Sequence, residues 1–153
     1  MNVFMRSSLW LATNLFPDVT VTGRAAARVA TDNRDALIKL GRNPLTIKET
    51  RFAAVGGLVD LMDAALDAAP GFQAPALLLY GGKDEMIPAR ATRAIWASLP
   101  AEPRRAFYPA GYHLLLRDLG RAAPIEDIVA WIRRPTTPLP AEAAAARFLA
   151  TAP

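Results

Sequence analysis

Two side chains with complementary acid–base chemistry, Asp84 and His113, each follow a short apolar segment of the chain. A carboxylate that accepts the Nδ1 proton of a histidine fixes the ring tautomer and stabilises the imidazolium form. The second ring nitrogen is then free to take a proton from a nucleophile. The pair therefore predicts an acid–base site. The alternative is that Asp84 caps a turn and that His113, the single histidine of the chain, is a satisfied core residue.

The elements that must position this pair are two strands joined by a helix. Residues 75–80 are an unbroken apolar run closed by Gly81 and Gly82, which is typical of a strand buried on both faces of a parallel sheet. Residues 90–99 have helical spacing, and residues 105–108 predict a second short strand. A strand–helix–strand unit makes its two strands parallel neighbours. Both side chains should then lie at the carboxyl edge of the sheet, where ligands gather in open α/β folds.

The sequences around the pair carry a family resemblance. The stretches LLLYGGKDEMIP and FYPAGYHLLLRDL, followed by IEDIVAWI, resemble the carboxyl-terminal half of α/β-hydrolases. More narrowly, they are similar to the lysophospholipase and monoacylglycerol lipase branch, also described as serine aminopeptidase-like. In that branch a G-x-x-D loop carries the triad acid and a G-x-H-x-L loop carries the triad base, and these positions match Asp84 and His113. Asn43-Pro44-Leu45 also resembles a segment of the family's lid region.

The resemblance implies an α/β protein with a partial α/β-hydrolase fold, in which a helical lid segment precedes the last βαβα unit of a parallel sheet. It divides the chain into a lid or cap segment at 1–70, the carboxyl-terminal part of the hydrolase core at 71–134, and a Pro/Ala-rich tail at 135–153. With little apolar surface of its own, the tail is predicted to be frayed. The sequence predicts only two strands, and a parallel sheet is normally wider than that.

The nucleophile of the family is not found in these 153 residues. In the family the order along the chain is nucleophile, acid, base, with the serine in a G-x-S-x-G elbow ahead of the lid. The three serines of the chain, Ser7, Ser8 and Ser98, all lie outside such a motif, and the family's oxyanion-hole loop is missing too. We therefore expect the lid and acid/base half of an enzyme, inactive alone, whose amino-terminal half is missing.

Composition excludes several classes of function. With 52% hydrophobic and 21% charged residues, the chain could bury a sizeable core. The net charge is +4, but the basic residues are scattered, so no nucleic-acid partner is expected. No cysteine and one histidine exclude disulfides, thiolate metal sites and multi-histidine metal sites, and no cofactor is expected. The expected location is the cytoplasm, with membrane association as the alternative.

Two helices of the lid segment raise further hypotheses. Residues 1–16 predict a helix with one broad apolar face, while Val3 and Trp10 fall on its polar side. An exposed Val–Trp pair could make a weak contact with a membrane surface or with acyl chains, but packing on the missing half is favoured. Residues 52–69 predict an amphipathic helix whose solvated face carries three carboxylates, Asp60, Asp63 and Asp67.

The resemblance also implies a substrate, a carboxylic ester of lipid type as for a lysophospholipase or a monoacylglycerol lipase. Met86, Ile87 and Leu114 are apolar residues in loop positions that line the acyl pocket in the family. They should line an open groove together with the first helix, on the side where the strand ending in Tyr80 lacks a neighbour; alternatively, they plug the top of the sheet. Two other functions remain open, an acyltransferase or dehalogenase relative with another nucleophile, and a non-catalytic remnant or interaction module.

Overall fold

A computed structural model of the chain describes residues 3–22 and 28–151. The described residues form six α-helices and four β-strands. In chain order these are α1 (Val3–Leu15), β1 (Thr20–Thr22), α2 (Arg34–Arg42), β2 (Glu49–Arg51), α3 (Phe52–Ala68), β3 (Leu77–Gly81), α4 (Ala89–Ser98), β4 (Arg104–Tyr108), α5 (Ala122–Arg133) and α6 (Glu142–Ala150). The chain divides into two compact units, residues 1–27 with 43–68, and residues 28–42 with 69–153.

In the first unit, α1 and α3 contact each other through polar side chains. Arg6 forms an ion pair with Asp63, and the hydrogen bond within this pair raises the pKa of Arg6. The Thr13 hydroxyl lies 3.4 Å from the carbonyl oxygen of Phe52. A Cβ on Gly56 would lie 2.8 Å from Thr13 Oγ1, so glycine permits this close approach. The Asp63 side chain is still 44% exposed, so a residue on the predicted solvated face also forms an ion pair across the two helices.

Most large apolar side chains of α1 and α3 are exposed, and neither helix has a buried residue. The most exposed are Val3, Phe4, Trp10, Leu15, Leu58 and Leu61, all at 56% or more. Val3 and Trp10 are thus exposed, as the sequence predicts, but so are the apolar residues that an amphipathic helix normally buries. Within the described ranges, no helix is long and apolar enough to cross a bilayer.

The first unit also contains a small sheet that the sequence does not predict. β1 and β2 pair antiparallel, with Thr20 opposite Arg51 and Thr22 opposite Glu49. Each strand is three residues long with every residue exposed, so neither shows the alternation of buried and exposed residues that identifies a strand.

The second unit contains the predicted βαβ arrangement. β3 and β4 are parallel neighbours, with Leu77 opposite Arg104 and Gly81 opposite Tyr108, and α4 is the crossover between them. The crossover begins one residue before the predicted helix and ends one residue before its predicted end.

On α5, Asp127 accepts a hydrogen bond of 2.8 Å from the Tyr108 hydroxyl. Burial is the main reason why the pKa of Tyr108 is raised well above its usual range.

The core of this unit is an aromatic cluster that includes the carboxyl-terminal helix. Tyr80, Trp96 and Phe148 are buried, and Phe148 stacks on Phe107 with ring centroids 4.5 Å apart. Burying one such ring contributes about 1.5–3 kcal/mol to stability. The prediction of a frayed tail is wrong, because α6 packs its buried Ala145 and Phe148 against the sheet.

The two edges of this sheet differ. At the outer edge of β4, the N–H of Phe107 donates to the carbonyl oxygen of Ala141 at 3.3 Å, so the segment before α6 covers that edge. At the outer edge of β3, no strand of the described chain is paired. Since parallel sheets are normally wider and covered on both sides, this two-stranded sheet is a partial one with a free edge at β3.

Candidate functional site

Two loops at the carboxyl edge of the sheet form the site. The acid loop (residues 82–88) follows β3, and the base loop (residues 109–121) follows β4. A Cβ on Gly81 would lie 2.5 Å from the carbonyl oxygen of Gly111, so glycine is needed where the loops meet. The N–H of Lys83 donates to the same Gly111 oxygen at 2.8 Å. The two loops are therefore in direct backbone contact.

Asp84 is held by hydrogen bonds to both of its carboxylate oxygens, and its side chain is 6% exposed. Oδ1 accepts the backbone N–H groups of Met86 and Ile87 at 2.7 and 2.9 Å. Oδ2 lies 2.9 Å from His113 Nδ1. Asp84 thus forms both the turn that a capping role predicts and the contact that an acid–base pair predicts.

His113 has a side chain that is 37% exposed, so it is not a core histidine. With its Nδ1 proton donated to Asp84, the neutral ring has Nε2 as its proton acceptor. The distance between the two groups is that of a good hydrogen bond. The structure therefore brings together the two residues that the sequence singled out, in a geometry suited to taking up a proton at Nε2 and returning it.

Sequence reasoning missed a further set of contacts around the pair. They come from residues 28–33, which we call the strap, and which lie immediately before α2. The strap contacts both loops, through the pairs Val29–Glu85, Ala30–Leu114 and Thr31–Asp118. The partners are 56 to 87 residues apart in the chain, so no local pattern could have predicted them.

Two grooves beside β3 include His113 in their lining. One, of about 400 Å³, runs along all five residues of β3 and is also lined by Asp84, Ile87 and His113. The other, of about 320 Å³, is mainly apolar and is lined by Leu79, Ile128 and the base loop from His113 to Arg117. Of the three predicted acyl-pocket residues, Ile87 lines the first groove and Leu114 the second.

Met86 lines neither of these grooves, and the residue is 46% exposed. Its clear contribution is the backbone N–H given to Asp84. Ile87 is fixed differently, since its carbonyl oxygen accepts the Tyr80 hydroxyl at 2.8 Å. Burial raises the pKa of Tyr80, so that hydroxyl stays protonated and able to donate at neutral pH. The expectation that the first helix shares the groove stays a prediction.

The pair has a base and an acid but no adjoining nucleophile motif in the sequence. Ser98 lies near the end of α4 and bonds the carbonyl oxygen of Ala94 at 2.9 Å, as a helical serine commonly does. Ser7 and Ser8 lie within α1. Asp84 and His113 can therefore accept, hold and return a proton, but this pair does not form a covalent intermediate by itself.

Comparison with known proteins identifies the family of the chain. Residues 1–120 match the model of the family described as serine aminopeptidase, S33. Among solved structures, the chain is similar to the monoacylglycerol lipase of Paleococcus ferrophilus, with a TM-score of 0.74 and 21% sequence identity. That match covers 86% of this chain and 52% of the lipase, so the chain spans about half of the lipase's length. The partial sheet is thus a partial α/β-hydrolase fold, and the chain belongs to the serine aminopeptidase S33 family of α/β-hydrolases.

Proposed function

We propose that this chain provides the acid and the base of a serine hydrolase that cleaves carboxylic esters of lipid type. Asp84 is the triad acid and His113 the triad base. The nucleophilic serine and the oxyanion donors come from an amino-terminal α/β-hydrolase half outside these 153 residues. The observation that carries the proposal is the 2.9 Å contact between His113 Nδ1 and Asp84 Oδ2, at the edge where two parallel strands end.

The chemistry follows from this contact. The serine Oγ attacks the ester carbonyl carbon while its proton passes to His113 Nε2. Asp84 stabilises the imidazolium that results, and the imidazolium then gives the proton to the oxygen of the departing alcohol. Water attacks the acyl-serine in the same way, again losing a proton to Nε2. The imidazolium returns this proton to the serine Oγ as the acyl–oxygen bond breaks and the carboxylic acid is released.

The proposed substrate class rests on the apolar residues around His113. Leu79, Leu114 and Ile128 line the groove on one face of β3. Apolar walls offer no partner to a charged group, so they favour an acyl chain over a charged peptide. The similar Paleococcus ferrophilus protein is a monoacylglycerol lipase, which supports the same class. We propose that both grooves belong to the acyl pocket, with Ile87 in one, Leu114 in the other and Met86 at the rim.

A second candidate function is a non-catalytic interaction module. It is favoured by one observation, that the 153 residues contain no G-x-S-x-G motif. An acyltransferase or dehalogenase relative would keep the same acid and base but carry another acceptor or nucleophile. These alternatives differ from the main proposal in whether the chain supports ester hydrolysis once a serine elbow is supplied.

The proposal is tested by assaying ester hydrolysis with and without a serine elbow. The chain alone should show no turnover of p-nitrophenyl esters, since acid and base alone cannot form the acyl intermediate. Joined to the amino-terminal half of the Paleococcus ferrophilus lipase, it should hydrolyse long-chain esters. Hydrolysis by the pure chain that His113→Ala abolishes would contradict the proposal. A folded chimera without turnover would favour the interaction module.

A further inference from the structure

The strap contacts the residue next to each member of the acid–base pair. On the acid side, the N–H of Val29 donates to Glu85 Oε2 at 2.8 Å, and Glu85 directly follows Asp84. The guanidinium of Arg28 also donates to the backbone oxygen of Glu85. The acid loop is thus fixed to the strap at the position immediately after the acid.

On the base side, hydrogen bonds flank His113 both before and after it in the chain. The N–H of Tyr112 donates to Asp118 Oδ2 at 2.7 Å, and the N–H of Leu114 donates to the carbonyl oxygen of Ala30 at 2.9 Å. The main chain on either side of the ring is therefore held by a carboxylate and by the strap.

A buried hydrogen bond joins this carboxylate to the strap. The Thr31 hydroxyl donates to Asp118 Oδ1 at 2.5 Å, and the two residues are 1% and 3% exposed. Each Asp118 oxygen therefore has a separate partner, one in the base loop and one in the strap. A buried carboxylate is costly unless it is hydrogen-bonded, so both contacts are strongly favoured over an open arrangement.

We infer that the strap, through Asp118 and Glu85, is the element that holds His113 and Asp84 at hydrogen-bonding distance. Thr31, Glu85 and Asp118 are positioning residues, because their hydrogen bonds connect the strap to the segments beside the pair. The inference rests on the proposed function, since it concerns the same acid and base. It adds that the geometry of the pair depends on a segment more than fifty residues away in the chain.

The single histidine of the chain allows a direct test without activity. In free neutral imidazole the Nε2–H tautomer predominates, whereas the bond to Asp84 requires Nδ1–H. Long-range proton–nitrogen NMR of His113 in the 153-residue chain reports which tautomer is present, and the exchange rate of the Nδ1 proton reports how long the bond lasts. Wild-type protein should show the Nδ1–H tautomer.

The variants form matched pairs. Thr31→Val keeps the shape of the side chain but removes the donor, and Thr31→Ser restores it. We expect Thr31→Val to speed Nδ1 proton exchange by roughly tenfold, as for the loss of one buried hydrogen bond, and Thr31→Ser to leave it near wild type. Asp118→Ala should have a larger effect. Asp127→Asn alters another buried carboxylate, 5% exposed, and should leave the His113 signals unchanged.

Each outcome decides a different statement. Wild-type tautomer and exchange in both Thr31→Val and Asp118→Ala would overturn the role of the strap and leave the proposed function standing. If Asp127→Asn sped Nδ1 proton exchange as much as Thr31→Val does, the effect would reflect a general loosening of the fold, and the role of the strap would again be overturned. A wild-type ring in the Nε2–H form would contradict the Asp84–His113 pair itself, and the strap's role would fall with it. If Asp118→Ala does not fold, the two Thr31 variants decide.

Discussion

At the scale of single residues, the two oxygens of Asp84 have different tasks. Oδ1 closes the turn by accepting the N–H groups of Met86 and Ile87, and Oδ2 orients His113. Sequence could predict this pair because the residue types and the strand ends are both visible locally. It could not predict Thr31 or Asp118, because a threonine and an aspartate 87 residues apart carry no sign of their contact.

Leu114 tests the proposed acyl pocket at this scale. In the chimera that carries a serine elbow, Leu114→Asp should lower the ratio of long-chain to short-chain kcat/KM by roughly tenfold or more, since a carboxylate in an apolar groove rejects an acyl chain. Ile87→Asp should act in the same direction. The matched control is Leu119→Asp, because Leu119 is 68% exposed and lines neither groove. An unchanged ratio in Leu114→Asp and Ile87→Asp would remove both from the pocket.

At the scale of helices and strands, the elements predicted correctly have a recognisable local sequence pattern. The elements that the sequence does not predict depend on contacts with residues distant in the chain. β3, α4 and β4 were predicted because apolar runs and helical spacing are local patterns. The sequence predicts a frayed α6 because its nine residues show little apolar surface. Its order comes from Phe148 in the aromatic cluster and from the ion pair between Glu142 and Arg104, neither of which a local pattern reveals.

The ion pair of α6 makes stability depend on pH. The hydrogen bond from Arg104 to the Glu142 carboxylate lowers the pKa of Glu142 below its ordinary value of 4.5. A depressed carboxyl pKa stabilises the fold above the ordinary value, and this contribution is lost as pH falls through the lowered pKa. Urea midpoints should therefore drop below about pH 4.5 in wild type, and Glu142→Gln should remove part of that drop while lowering stability at pH 7. Glu126→Gln, an exposed site on α5, is the control. An identical pH profile in wild type and Glu142→Gln would contradict the assignment.

Two adjacent glycines of α3 test the contact between α1 and α3. A Cβ on Gly57 meets nothing within 4 Å, so Gly57→Ala should stabilise by about 0.5–1 kcal/mol through helix propensity. A Cβ on Gly56 would meet Thr13 Oγ1 at 2.8 Å, and a helical threonine has little freedom to turn away. Gly56→Ala should therefore lose this gain and be destabilising. Equal urea midpoints for the two variants would show that the helices do not approach so closely.

At the scale of the whole molecule, the chain has half of a family architecture, and the free edge of β3 is the clearest sign of this. A two-stranded parallel sheet with one edge covered and one edge free is what the last strands of a wider sheet would look like. The sequence indicated this through its low strand content and its missing serine motif. The exposed apolar residues of α1 and α3 were less predictable, because helical periodicity identifies an apolar face without saying what covers it.

A double-mutant cycle tests most directly whether Asp84 and His113 belong to a serine triad. In the chimera, kcat would be measured for wild type, His113→Ala, a serine-to-alanine variant of the supplied elbow, and the two combined. Residues that act as one unit are strongly non-additive, so each single variant should cost at least about 10⁴-fold and the double variant hardly more. Asp84→Asn should reduce kcat with the protein still folded. Independent effects that multiply in the double variant, or full activity in His113→Ala, would contradict the proposed function.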